Sequence, residues 1–173
     1  MPDILKSMSD LNILAQQLGV ELKRQGLMLV TAESCTGGWV AQAATAVTGS
    51  SDWFERGFVT YTNIAKQEML GVEASTLERY GAVSEQVVRE MAQGALCRSH
   101  AQIALAVSGI AGPGGGSDAK PVGTVCIGWA MVGGLTVAIT EHFSGDRQAV
   151  RYAAVAKALS GALELACERS TIA

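Results

Sequence analysis

Two nearly uninterrupted apolar runs limit the folds open to this chain more than any other feature of its sequence. They cover residues 27–32 (LMLVTA) and residues 102–108 (QIALAVS). Strands that are covered on both faces have this pattern, and such strands occur mainly in parallel sheets that helices flank on both sides. The sequence therefore predicts a layered α/β domain whose mixed sheet is covered on both faces.

Other patterns place helices and strands around these runs. Leucines recur at helical spacing before Gly26 and predict an amphipathic first helix that ends there. Asn63, Ser75, Ser84 and Asp146 are predicted to cap later helices. The predicted order is a helix to about residue 26, strand 27–32, helix 39–47, strand 54–62, helix 63–70, a helix from about 75, a helix from 84 to about 100, strand 102–108, a hairpin of 124–131 and 135–143, and a long last helix.

The size and charge of the chain narrow the classes of function. Its 173 residues predict a single domain over residues 1–173, since domains most often contain about 100–150 residues. Thirteen Lys and Arg residues against 16 Asp and Glu residues give a net charge of −3. Surfaces that bind nucleic acid or anionic membranes need a local basic excess, so this balance argues against both kinds of partner.

The cysteines and the N-terminus predict a cytoplasmic protein. The N-terminus lacks the apolar segment of a signal peptide. The cysteines are far apart and form no C-x-x-C motif, which predicts reduced thiols rather than a disulfide scaffold or a zinc site. They are Cys35, Cys97, Cys126 and Cys167.

The segment from residue 122 to residue 140 carries no charge and is nearly as long as a membrane span. Gly123, Gly128 and the pair Gly133-Gly134 divide it into two short runs rich in β-forming residues. We therefore predict a buried β-hairpin here rather than a membrane helix.

Ser34 lies in the motif TAESCTGG, just after a predicted buried strand and just before a predicted helix. Free backbone N–H groups and the positive end of a helix dipole meet at such a place, so a nucleophile there would have oxyanion donors in the amides of residues 35–38. The alternative is that Ser34 or Thr36 only caps the helix. Cys35 is a rival nucleophile, although a thiolate needs a nearby histidine and no pattern connects one to it.

Tyr61 and Lys66 follow the second predicted strand. A serine nucleophile needs a base, and a desolvated lysine or a lysine–tyrosine pair can replace histidine when burial lowers the pKa of the lysine. The alternative is that Lys66 lies on the wet face of a short helix and that Tyr61 packs at the end of the strand.

Five glycines stand within eight residues after the third predicted strand, in the segment SGIAGPGGG. Such loops are rich in N–H donors and can hold a phosphate or a carboxylate. The segment matches neither a Walker A loop nor a dinucleotide-binding fingerprint, and a plain turn is the alternative.

Arg147 and Arg151 share one face at the start of the last predicted helix, where lone cations are unfavourable. Either they bind an anion or they pair with Asp146 or Glu141, and the sequence leaves both possibilities open.

Five ordered motifs resemble the C-terminal domain of CinA-type competence/damage-inducible proteins, whose stand-alone members are similar to nicotinamide-nucleotide amidases. The resemblance covers about residues 11–165 and implies a three-layer α/β/α domain. It also implies hydrolysis of nicotinamide mononucleotide to nicotinic acid mononucleotide and ammonia. The motifs are TAESCTGG, GFVTYTNIAKQEMLGV, GAVSEQVV, SGIAGPGGGSDAKPVGTV and FSGDRQAVR.

The resemblance also implies roles for individual residues. Ser34 would be the nucleophile, Lys66 the base and Tyr61 its partner, with no metal and no cofactor. A catalytically silent nucleotide-binding or interaction module of the same family is the alternative, and the implied partner is a small nucleotide, with a homo-oligomer left open. The implied substrate-binding residues are Cys35, Thr36, Gly37, Gly38, Ser108, Gly109, Gly112, Gly114, Gly115, Gly116 and Arg147.

Overall fold

The computed structural model describes residues 2–172 and the side-chain environments of residues 10–168. Helices and strands alternate as far as residue 70, after which two more helices, three strands and a last helix follow, and a 3₁₀ turn at Ser50–Asp52 precedes the second strand. The elements are α1 (Pro2–Gln25), β1 (Leu29–Glu33), α2 (Trp39–Thr45), β2 (Phe54–Val59), α3 (Asn63–Leu70), α4 (Ala74–Tyr80), α5 (Glu85–Cys97), β3 (Ile103–Gly109), β4 (Thr124–Met131), β5 (Thr136–His142) and α6 (Arg147–Ile172).

The strands form one mixed sheet in the order β2-β1-β3-β4-β5. Strand β1 pairs in parallel with β2 and with β3, whereas β4 pairs antiparallel with both β3 and β5. Helices α1, α2 and α6 pack on one face of the sheet, and α3, α4 and α5 pack on the other. The predicted α/β/α fold with a mixed sheet is confirmed.

The central strands divide their side chains by size between the two faces. In β3, Ile103, Leu105 and Val107 face α1 and α6, whereas the intervening alanines face α5. Small residues let α5 approach the sheet closely, and a Cβ atom at Gly128 of β4 would come within 2.8 Å of the Val88 carbonyl oxygen of α5. The continuous apolar runs therefore arise because both faces of these strands are buried.

Two predicted helix starts are wrong by one or two residues. Thr62, not Asn63, caps α3, because its hydroxyl accepts the N–H of Ala65 at 3.2 Å. Helix α4 begins after Glu73 rather than at a Ser75 cap, and its first turn is held from α5 by the carboxylate of Glu90. A contact between two helices sets this start, so no local capping pattern could have shown it.

The other predicted caps are confirmed. Ser84 accepts the N–H of Val87 at 3.3 Å at the start of α5. Asp146 accepts the N–H of Ala149 at 2.9 Å at the start of α6. Strand β2 ends at Val59, three residues before its predicted end, and α3 begins soon afterwards at Asn63.

The predicted hairpin is also confirmed, as β4 and β5 pair from Thr124–His142 to Ala130–Thr136. In the part of the chain that the structure describes, no helix is long and apolar enough to cross a bilayer.

One edge of the sheet gathers the loops of interest. Strands β1, β2 and β3 are parallel, so their carboxyl ends meet at this edge. Strand β4 begins there and β5 ends there, because each is antiparallel to its neighbour. The motifs that follow β1, β2 and β3 are therefore brought together with the start of α6.

Candidate active site

Ser34 directly follows β1, and the sheet fixes its position. Its N–H donates to the carbonyl oxygen of Val107 at 2.9 Å, which continues the pairing with β3. On the other side, the N–H of Thr60 donates to the carbonyl oxygen of Glu33 at 2.8 Å. Ladder bonds on both sides thus hold the backbone where the serine leaves the sheet.

Lys66 projects from α3 into the same place. Its Nζ donates to Ser34 Oγ at 3.0 Å and to the carbonyl oxygen of Thr60 at 2.8 Å. Lys66 is 1% exposed and Ser34 is 8% exposed. The alternative in which Lys66 lies on the wet face of its helix is therefore wrong.

Burial lowers the pKa of the Lys66 ammonium, and the neighbouring Cys35 opposes this shift to a smaller extent. None of the salt bridges between described residues includes Lys66. A buried amine without a carboxylate partner loses its proton more readily, and its lone pair can then accept the proton of Ser34. The pair can thus act as a nucleophile and its base.

Cys35 is placed for packing rather than for attack. Burial raises the pKa of its thiol to about 11, so the thiol keeps its proton near neutral pH. A Cβ atom at Gly109 would come within 3.1 Å of the Cys35 sulfur, which shows how closely the glycine loop packs on it.

The structure narrows the predicted set of oxyanion donors. The N–H of Gly37 donates to the Ser34 carbonyl oxygen at 3.0 Å, and the N–H of Gly38 donates to Glu33 Oε2 at 3.0 Å. These two amides are therefore already engaged. The amides of Cys35 and Thr36 donate to no oxygen atom in the described part of the chain, and both residues are buried beside Ser34. They are the two remaining candidates for oxyanion donors.

Glu33 is a site residue that the sequence reasoning missed. Its buried carboxylate accepts the N–H groups of Gly38, Val40 and Ala41 at 3.0, 3.0 and 2.8 Å. The carboxylate thereby supplies acceptors for the N–H groups at the start of α2, which have no partner within the helix, and it fixes the turn that follows Ser34. A cap normally immediately precedes its helix, whereas Glu33 reaches this one across a turn in which Gly37 and Gly38 have positive φ angles of 61° and 95°.

Tyr61 lies at the rim of the site and contacts Arg147 instead of Lys66. Its side chain is 57% exposed, and its hydroxyl oxygen accepts a hydrogen bond from Arg147 Nη2 at 2.9 Å. Arg147 Nη1 also donates to the carbonyl oxygen of Gly112 at 2.7 Å. Arg147 thus connects the loop after β2 to the glycine loop after β3.

The glycine loop divides into a buried base and an exposed tip. At the base, the Ser108 hydroxyl donates to the carbonyl oxygen of Ala82 at 2.8 Å. This hydrogen bond ties the loop to the segment between α4 and α5. At the tip, the N–H groups donate to no acceptor within the described residues, which leaves them free for a ligand. These tip residues are Gly114, Gly115 and Gly116.

Of the two possibilities left open for Arg147 and Arg151, the structure shows no pairing with Asp146 or Glu141 among the described residues. Asp146 caps α6, and Glu141 forms its ion pair with Lys157 at 3.7 Å. Arg151 donates from Nε to the carbonyl oxygen of Cys35 at 3.0 Å and from Nη2 to that of Thr36 at 2.9 Å. Both arginines therefore reach into the loops around Ser34.

Comparison with known proteins agrees with this geometry. The family model of the CinA C-terminal domain matches residues 11–166 of this sequence. The chain belongs to the CinA C-terminal domain family. It is 56% identical over 153 residues to the nicotinamide-nucleotide amidohydrolase PncC of Enterobacter agglomerans, covering 88% of this chain and 93% of that protein. It is 49% identical to the PncC of Pseudomonas putida, covering 93% of this chain and 100% of that protein.

Solved structures of the same superfamily share the fold. The competence/damage inducible protein CihA from Agrobacterium tumefaciens superposes with a TM-score of 0.88 at 47% identity, covering 90% of this chain and 95% of that one. A CinA superfamily protein from Escherichia coli superposes with a TM-score of 0.87 at 42% identity, covering 91% of each chain.

In this CinA C-terminal domain, the arrangement suits acyl transfer. The residues present are a buried serine, an amine that can accept its proton, and two backbone amides next to the serine that donate to no oxygen atom among the described residues. These are the three parts that attack on a carbonyl group requires. Within the described residues, no group of three or more His, Cys, Asp and Glu side chains is placed to hold a metal ion.

Proposed function

We propose that this chain is a nicotinamide-nucleotide amidohydrolase, which converts nicotinamide mononucleotide to nicotinic acid mononucleotide and ammonia. The observation that carries the proposal is the buried hydrogen bond between Lys66 Nζ and Ser34 Oγ at 3.0 Å. The names of relatives that match along nearly their whole length supply the substrate.

The first half of the reaction is acylation of Ser34. Neutral Lys66 accepts the hydroxyl proton as the serine oxygen attacks the carboxamide carbon. The amides of Cys35 and Thr36 stabilise the negative charge that develops on the carbonyl oxygen. Lys66 then gives its proton to the leaving nitrogen, so that ammonia departs and an ester to Ser34 remains.

The second half is hydrolysis of that ester. Lys66, neutral again, accepts a proton from a water molecule that attacks the same carbon, and the same two amides hold the oxyanion. Collapse of the intermediate returns the proton to Ser34 and releases the acid. The residues of this chain supply each proton transfer, and no cofactor takes part.

The phosphate of the substrate is assigned to the rim of the site. The free N–H groups of Gly114, Gly115 and Gly116, together with the guanidinium of Arg147, suit a phosphate group. Tyr61 stays a predicted partner of the catalytic pair, and its hydroxyl accepts a hydrogen bond from the same Arg147.

Release of ammonia from nicotinamide mononucleotide tests the proposed function. We expect release by the unchanged protein and none above background by Ser34→Ala. A rise in the melting temperature with nucleotide, but without ammonia, would indicate a silent binding module instead. If neither signal appears with any nicotinamide nucleotide, the chain is an interaction domain.

The activity should show a limb on the acidic side of its pH profile. Lys66 accepts the serine proton only when it is neutral, so kcat/KM rises with pH as its ammonium loses a proton. Because burial lowers the pKa of Lys66, the midpoint should lie below the ordinary lysine value of about 10.4. The measurement is kcat/KM for nicotinamide mononucleotide across the pH range in which the protein stays folded.

Cys35→Ser serves as the control for this profile. Removing the thiol should leave the limb in place, because the thiol of Cys35 keeps its proton over this range. A profile that stays flat until the ordinary lysine pKa would contradict the role of Lys66.

A further inference from the structure

The turn after Ser34 carries two carbonyl groups that one side chain holds. Arg151 Nε donates to the Cys35 carbonyl oxygen at 3.0 Å, and its Nη2 donates to the Thr36 carbonyl oxygen at 2.9 Å. Arg151 lies in the second turn of α6, so it reaches the turn from a separate element of the fold. Two donors of one rigid guanidinium thus fix two successive peptide units.

The direction of these carbonyls decides where the amides point. In a planar trans peptide unit the C=O and the N–H point in opposite directions. The unit between Cys35 and Thr36 is trans, and its carbonyl points to Arg151. The N–H of Thr36 therefore points away from Arg151, and it is one of the two amides left without an oxygen acceptor.

The guanidinium is itself held in place. Its central carbon lies 5.3 Å from the ring centre of Trp39, at the start of α2. It also lies against Gly37, where a Cβ atom would be in ordinary van der Waals contact with Nη2, at 3.6 Å. None of the salt bridges between described residues includes Arg151. Its identified donors go to the main chain instead of to an acidic side chain.

We propose that Arg151 is a positioning residue for the oxyanion-binding amides, an inference that rests on the proposed function. It holds the peptide unit of Cys35 and Thr36 so that the Thr36 N–H faces the reacting carbonyl group. A cation on the carbonyl side also polarises this unit and strengthens its N–H as a donor. The Glu33 carboxylate accepts N–H groups at the start of α2, just beyond the turn. Arg151 binds the carbonyl groups of the turn itself.

The test compares Arg151→Ala, Arg151→Lys and a matched control, Arg79→Ala. Arg79 also stacks on an aromatic ring, 5.2 Å from the centre of Tyr80, and lies outside the proposed site. We expect kcat for nicotinamide mononucleotide to fall about 10- to 100-fold in Arg151→Ala, because a displaced donor loses most of its effect. KM should change little, since the oxyanion forms only after binding.

Rescue separates positioning from a merely structural role. Millimolar guanidinium, far below denaturing concentrations, should restore part of the kcat of Arg151→Ala and change neither Arg79→Ala nor Ser34→Ala. Arg151→Lys should retain intermediate activity and keeps the test valid if the alanine variant does not fold. The proposal would be overturned if both Arg151 variants lost activity equally and guanidinium restored none of it. It would also be overturned if kcat of Arg151→Ala were unchanged.

A second measurement does not depend on the substrate. A fluorophosphonate reacts with an activated serine, and its phosphoryl oxygen needs the same donors as an amide oxyanion. We expect Ser34 to be labelled about tenfold more slowly, or slower still, in Arg151→Ala than in the unchanged protein. If the unchanged protein is labelled but releases no ammonia, the proposed function fails while the labelling rates still decide the role of Arg151. Equal labelling rates overturn that role, and no labelling at Ser34 overturns both.

Discussion

Replacing Ser34 by alanine should lower kcat for nicotinamide mononucleotide by about 10³-fold or more, and replacing Lys66 should have a similar effect. Both side chains are buried and hydrogen-bonded to each other at 3.0 Å, so a water molecule or a buffer ion cannot take over the role of either one. Lys66→Met keeps most of the buried volume and removes only the amine. The measurement is steady-state ammonia release, with the melting temperature recorded to show that the variants are folded.

The double variant makes this expectation specific. If the two residues form one nucleophile–base unit, Ser34→Ala with Lys66→Met should cost little more than either change alone. Cys35→Ser is the control and should keep most of the activity, since the Cys35 thiol stays protonated. Near-normal turnover in Ser34→Ala together with an inactive Cys35→Ser would make the thiol the nucleophile and remove the role of Lys66.

Removing the phosphate from the substrate should have the second large effect. We expect kcat/KM for nicotinamide riboside to be about 10²- to 10⁴-fold below that for the mononucleotide, because several phosphate contacts are lost at once. The contacts in question are the free N–H groups at the tip of the glycine loop and the guanidinium of Arg147. Ammonia release from both substrates at matched enzyme concentrations measures the ratio.

The variant Arg147→Ala tests recognition of the phosphate separately from recognition of the rest of the substrate. It should lower kcat/KM for the mononucleotide much more than for the riboside, because only the mononucleotide carries the phosphate charge that we propose Arg147 recognises. Equal turnover of the two substrates by the unchanged protein would refute the phosphate assignment. The glycine loop would then be a plain turn that packs on Cys35.

Local patterns were sufficient to predict most of the fold. The buried runs and the hairpin glycines correspond to β1, β3, β4 and β5, because burial on both faces and turn chemistry leave a direct mark on sequence. The start of α3 was misplaced by one residue because Thr62 and Asn63 are adjacent and both suit an N-cap. The start of α4 depends on Glu90 of α5, a contact that the local sequence does not encode.

The candidate site was less accessible to sequence reasoning. Ser34 could be suspected from its place between strand and helix, and Lys66 from the need of a serine for a base, but each kept a structural alternative until the family resemblance favoured the catalytic roles. Glu33 and Arg151 satisfy backbone groups of the turn, and their residue types carry no signal of that task. Arg151 lies more than a hundred positions from the carbonyls that it binds, so only the folded chain shows the contact.

The direction of the strands gives the molecule two functionally distinct ends. The turn between β4 and β5 lies at the edge of the sheet opposite Ser34, since β4 runs away from the site for eight residues, roughly 23 Å. An affinity tag or a fused domain inserted near Gly133 would therefore stay clear of substrate. Conversely, substrate preference can diversify through the loops of the Ser34 edge while the sheet beneath them stays the same.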